Sequence, residues 1–119
     1  MYFISDTHER GIASELFGEN EEALRSFEEG LKTDSNDIAL HLWRAFALGQ
    51  LGRTKEAEEV IVTAHDLYSG QNAPADFSEV FTGFKNGVNE VSTKAVLKNV
   101  TSLLESRIRL KNVVHEVGL

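Results

Sequence analysis

A chain of 119 residues and 13.2 kDa, 41% apolar and 26% charged, is one ordinary globular domain that buries roughly 60 to 70% of its unfolded surface. Having no cysteine, it cannot use thiolate nucleophiles, iron–sulfur clusters, Cys-ligated zinc or disulfides. Its net charge of −7 repels phosphate backbones and anionic lipid, so neither nucleic acid nor membrane is an expected partner.

The opening Met1-Tyr2-Phe3-Ile4 lacks a basic start and a long apolar run, and nothing approaches the ~18 uninterrupted apolar residues of a membrane span. The expected location is the cytoplasm. Ser5 to Phe17 predicts a first helix with Ile12, Ala13, Leu16 and Phe17 on one side, closed by Gly18. From Asn20 to Leu31 the residues Ala23, Leu24, Phe27, Gly30 and Leu31 recur at i, i+3, i+4, one stripe of a helix that Asn20 can cap. Asp37 to Leu51 carries Ile38, Leu40, Leu42, Trp43, Ala45, Phe46, Ala47, Leu48 and Leu51, apolar groups around most of the circumference. Such a helix needs neighbours on several sides. Thr54 to Tyr68 returns to a single stripe of Ala57, Val60, Ile61, Ala64, Leu67 and Tyr68, with Thr54 as candidate cap. Ser69 to Pro74 gathers turn formers and the only proline, which predicts a loop. Phe77, Val80, Phe81, Phe84 and Val88 then fall at helical spacing up to Asn86-Gly87, and a long last helix is predicted from Ser92. No alternating run bounded by turn signals argues for a strand.

Sliding the chain against itself by 34 residues aligns two helix pairs. Arg10/Arg44, Ala13/Ala47, Gly18/Gly52, Glu22/Glu56 and Ala23/Ala57 are identical. Gly11/Ala45 stay small, and Phe27/Ile61 stay bulky four residues after Ala23 and Ala57. Small residues let paired helices approach closely. Ala23-Leu24-Arg25-Ser26-Phe27 and Ala57-Glu58-Glu59-Val60-Ile61 resemble the second-helix element of the tetratricopeptide repeat, a 34-residue helix–turn–helix unit. The sequence departs from that pattern at Thr7 and His41 for Trp, Arg10 and Arg44 for Leu, Ser14 and Leu48 for Tyr, and Ser35 and Ser69 for Pro.

The resemblance implies an all-α fold of one domain over residues 1–119: a right-handed α-α superhelix of hairpins, about six helices with a long C-terminal one. Units fall at approximately 5–36 and 37–70, with a degenerate third pair over 75–117. It also implies a concave face lined by His8, Ile12 and Glu15 beside Leu42, Phe46 and Gln50. Family members that read the carboxylate terminus of heat-shock chaperones use Lys and Asn there, and this face has neither, so an apolar protein or peptide segment is the expected guest. The alternatives are a plain helical bundle, in which the self-match is fortuitous, and a core role for Ile12, Leu42 and Phe46.

In the last helix Val96, Val100, Leu103, Arg107, Leu110, Val114 and Val117 advance by four and three alternately, a heptad seam interrupted once by Arg107. Leu97, Leu104 and Ile108 widen the stripe over the first half, as packing on a domain body requires. Running about 39 Å at 1.5 Å per residue, this helix should overhang its shorter neighbours. The overhang would expose Leu110, Val113, Val114 and Val117, a candidate seat for a second copy or another protein. Charge is divided in the same sense. Residues 1–91 hold 7 basic and 17 acidic groups, net −10, and residues 92–119 hold 5 and 2, net +3. Lys94, Lys98, Arg107, Arg109 and Lys111 would steer acidic surfaces.

His8, His41, His65 and His115 share no metal-ligand spacing, and nucleophile elbows and phosphate-binding glycine loops are absent. Glu21, Glu22, Glu28, Glu29, Glu56, Glu58 and Glu59 sit on predicted solvent faces. The expectation is a non-catalytic adaptor or chaperone without cofactor, or alternatively an oligomerisation domain that forms a homodimer through its last helix.

Overall fold

A computed structural model of the protein describes residues 11, 12, 18 to 69 and 75 to 116, of which 75 to 77 and 111 to 116 are described by backbone alone. The described residues form five α-helices and one 3-10 turn, with no strand: α1 (Asn20–Thr33), α2 (Ile38–Gln50), α3 (Thr54–Ser69), α4 (Ala75–Val80), the turn Phe81–Phe84, and α5 (Glu90–Glu116). Gly11 and Ile12 are helical too, and the rest of the expected first helix lies outside the described residues. The dimensions are 44 × 26 × 25 Å. At about 40 Å, α5 alone spans nearly the whole length.

Each helix ends where local chemistry stops it. The Asp37 carboxylate accepts from Leu40 N at 3.1 Å and starts α2. Gly52, at φ +80°, ends it: Arg53 N donates to Leu48 O and Gly52 N to Gly49 O, the paired bonds of a left-handed helix terminus. Two expected caps shift by one residue. Glu19 rather than Asn20 precedes α1, without a side-chain cap, and the Arg53 carbonyl accepts the first bond of α3. α5 starts two residues before Ser92, because Asn89 and Ser92 cap it reciprocally: Ser92 N donates to Asn89 Oδ1 and Asn89 N to Ser92 Oγ, both at 2.9 Å.

α2 is the central helix, packed against α1, α3 and α5. Its residues Ile38, Leu40, Leu42, Trp43, Ala45, Phe46, Ala47 and Leu48 are all buried, whereas α1 and α3 each bury one stripe, Ala23, Leu24 and Phe27, and Ala57, Val60, Ile61 and Ala64. The ring of Phe27 stacks on Trp43 with centroids 5.7 Å apart, and Trp43 meets Phe46 edge-on at 5.9 Å. A Cβ at Gly11 would overlap the Phe27 ring, so the small residue is what lets the backbone of residue 11 lie on it. Full burial of side chains such as Trp43, Phe27 and Leu48 stabilises the fold by roughly 1.5 to 3 kcal/mol each.

The single helix expected from Phe77 to Val88 is instead α4 followed by the tighter turn. A 3-10 geometry aligns residues i and i+3. Phe81 and Phe84 are thereby both brought to His65 of α3, at 5.5 and 4.6 Å between ring centroids. Tyr68 stacks on Phe81 at 4.9 Å. Gly83 in this turn presses on α5, since a Cβ there would lie 2.8 Å from Val96 Cγ2.

Candidate protein-interaction surface

The expected groove face is the side of α2 that carries Leu42, Phe46 and Gln50. In the structure Leu42 is fully buried, Phe46 is 3% and Ile12 6% exposed, and all three belong to the main core. Only Gln50 is exposed, and His8 and Glu15 lie outside the described residues. This overturns the open apolar groove as expected, and the physical reason is α5. That helix lies over the same side of α2 and contributes Val96, Leu97, Val100 and Leu104 to the core, with Leu103 and Ile108 packed against it. Burying this apolar strip on α2 removes both surfaces from water, which neither could leave exposed. The sequence marked both stripes but not their meeting.

Two clefts follow the joint. One, of about 470 Å³, lies between the α2–α3 turn and α5 and includes Gln50, Thr54, Glu58, Lys94, Lys98 and Thr101. The other, about 250 Å³, brings Ile108, Arg109 and Glu105 of α5 beside Gly18, Asn20, Phe46 and Gln50. At the first, Lys94 Nζ donates to Glu58 Oε2 at 2.7 Å, joining α5 to α3. Hydrogen bonding to the Glu58 carboxylate, then its charge, raises the Lys94 pKa above the usual lysine range. At the exposed start of α3 the Arg53 guanidinium binds Glu56 at 2.8 Å through two nitrogens, which lowers the Glu56 pKa and raises that of Arg53. Arg44 pairs with Glu28 at 3.0 Å.

His41 Nε2 lies 2.8 Å from Ser35 O, so it donates there, and Nδ1 is left shielded from solvent without a partner. Nearby Arg44, Glu56 and Glu59 line a further cleft of about 250 Å³ with His41. Among the described residues no group of His, Asp and Glu is arranged to hold a metal ion. Nor is any described helix long and apolar enough to cross a membrane.

The expected seam divides in two. Val96 and Val100 are fully buried within this chain, and Leu103 and Arg107 are half-buried. Leu103 is packed against the core, so it does not present the free apolar surface expected of it. Leu110, in contrast, is 65% exposed. Val113 and Val114 follow it by three and four residues on α5, and Val117 lies outside the described residues.

Comparison with protein-family models, with curated proteins and with solved structures finds no match. The placement of α5 across α2 is therefore described on its own geometry. Its sequence signal was the widened stripe of Leu97, Leu104 and Ile108, which says that a face is buried and not what buries it.

Proposed function

We propose that this chain is a non-catalytic protein-interaction module of the cytoplasm, built from tetratricopeptide-like hairpins arranged as a right-handed superhelix. Its groove side is closed by its own last helix, and it meets another polypeptide through the projecting end of that helix. The 34-residue self-match, the all-helical architecture and the central, many-sided packing of α2 support the hairpin scaffold. One observation carries the contact surface: along a single uninterrupted helix, the seam residues Val96 and Val100 are fully buried while Leu110, beyond Arg107 in the same seam, is 65% exposed.

A photo-crosslinking residue at position 110 of the full chain tests this in the cells that make it. The expected result is a discrete polypeptide adduct from position 110 and none from the exposed position Thr63 on α3. Equal, diffuse labelling from both positions overturns the reading.

A further inference from the structure

We propose that Asn86-Gly87, at the joint between the turn Phe81–Phe84 and α5, is a site of spontaneous covalent modification that alters how α5 is anchored. Asn86 is the only asparagine in the chain followed by glycine, and residues 85 to 90 are all exposed, so water reaches the pair. Gly87 sits at φ +113° with open space where a Cβ would stand, so no side chain at 87 hinders approach to its nitrogen. Among the described residues no hydrogen bond holds the Asn86 side-chain amide, whereas that of Asn89 accepts from Ser92 N at 2.9 Å.

The chemistry needs only water. The Gly87 nitrogen attacks Asn86 Cγ, a C–N bond forms, and ammonia leaves carrying the amide proton of Gly87. Water then opens the five-membered imide at one of its two carbonyls. Breaking the bond from nitrogen to Cγ gives aspartate in the normal chain. Breaking the other gives isoaspartate, whose main chain runs through Cβ and Cγ and is one carbon longer. In the folded chain Gly87 N donates to Phe84 O at 2.9 Å, so the attack waits for that exposed turn to open locally. Gly87 O accepts from Ser92 Oγ at 2.9 Å, and Ser92 with Asn89 forms the reciprocal cap of α5. A backbone carbon added just before Gly87 pulls against both anchors. Aspartate adds only a charge near a helix start, where negative charge is favourable.

Incubation of the folded full chain at neutral and at mildly alkaline pH, followed by tandem mass spectrometry of the tryptic peptide Asn86–Lys94, tests the proposal. Asn86 should convert to the acid, first-order in time and faster at the higher pH, with Asn20, Asn89 and Asn99 far behind. Asn86→Gln, which must close a six-membered ring and does so much more slowly, should remove the conversion. Once the products are separated, the isoaspartyl chain should unfold at lower urea than the parent, and Asn86→Asp at the parent's midpoint. An Asn86 that stays intact in the folded chain, over a period that converts it in urea, overturns the site. Conversion of the other asparagines at the same rate overturns it as well. An isoaspartyl chain that unfolds together with the parent overturns the altered anchoring of α5.

Discussion

The two halves of α5 share one helical backbone and meet different surroundings. From Thr93 to Leu104 the helix places Thr93, Val96, Leu97, Val100 and Leu104 in the core and ties Lys94 to Glu58 on α3. From Arg109 onward it keeps the same helical backbone, yet Leu110 stands 65% exposed. The helix is continuous through both halves, but the apolar stripe is wider in the first, so burial is decided by the pattern together with what lies beneath it. What differs is the partner beneath. The first half rests on α2, α3 and the turn Phe81–Phe84, whereas Glu105, Ile108 and Arg109 of the second half line a cleft with Gly18, Asn20, Phe46 and Gln50. An apolar stripe thus specifies a face to be covered, and the elements that meet it decide how much of it the chain covers by itself.

This contrast can be broken most forcefully from below. Phe46→Glu puts a charge on a core site only 3% exposed beside α5, and should cost more than about 4 kcal/mol, enough to unfold much of the protein. Loss of the cooperative thermal transition is the expected readout; a folded variant with intact melting would restore the open groove. Leu104→Ala, at a fully buried site on α5, should destabilise by about 2 to 5 kcal/mol in urea unfolding. Gly83→Ala forces a methyl to within 2.8 Å of Val96 Cγ2 and should cost about 1 to 3 kcal/mol by the same measurement. Leu110→Ala, measured at a dilution where the chain is single, should change stability by less than about 0.5 kcal/mol. A loss at Leu110 comparable to that at Leu104 would erase the distinction between the halves.

Much of the scaffold was legible because local signals agree. Asp37 starts α2, Gly52 ends it with positive φ, and the all-round apolar residues of α2 correctly demanded neighbours on several sides. Gly11, picked out by the self-match as a point of close approach, does lie against Phe27. The groove was illegible for a plain reason. Ile12, Leu42 and Phe46 have the same spacing whether they line an open channel or sit under a helix nearly fifty residues downstream, and spacing within an element carries no information about its distant partner. The turn Phe81–Phe84 was missed likewise, since three phenylalanines at helical spacing do not reveal that His65 and Tyr68 wait on another helix for two of them.

The smallest expected effect concerns the tie between the buried half of α5 and α3. Lys94 donates to Glu58 Oε2 at 2.7 Å, with Glu90 farther off at 4.0 Å, and its pKa is raised first by the Glu58 hydrogen bond. A lysine whose folded pKa exceeds its unfolded one binds its proton more tightly in the native state. Its contribution is therefore complete below the unfolded lysine pKa and disappears as pH rises through the folded one. Lys94→Met, which keeps the stem and removes the charge, should lower stability slightly and by a constant amount from neutral pH into the mildly alkaline range. The gap from the parent protein should then close at strongly alkaline pH. High salt should shrink it too, because the ammonium is largely exposed. Urea midpoints of parent and variant across that range give the measurement. A gap that persists when the parent lysine is neutral would show that the charge of Lys94 is not what separates the two proteins, and the ion pair with Glu58 would then not be a tie between α5 and α3.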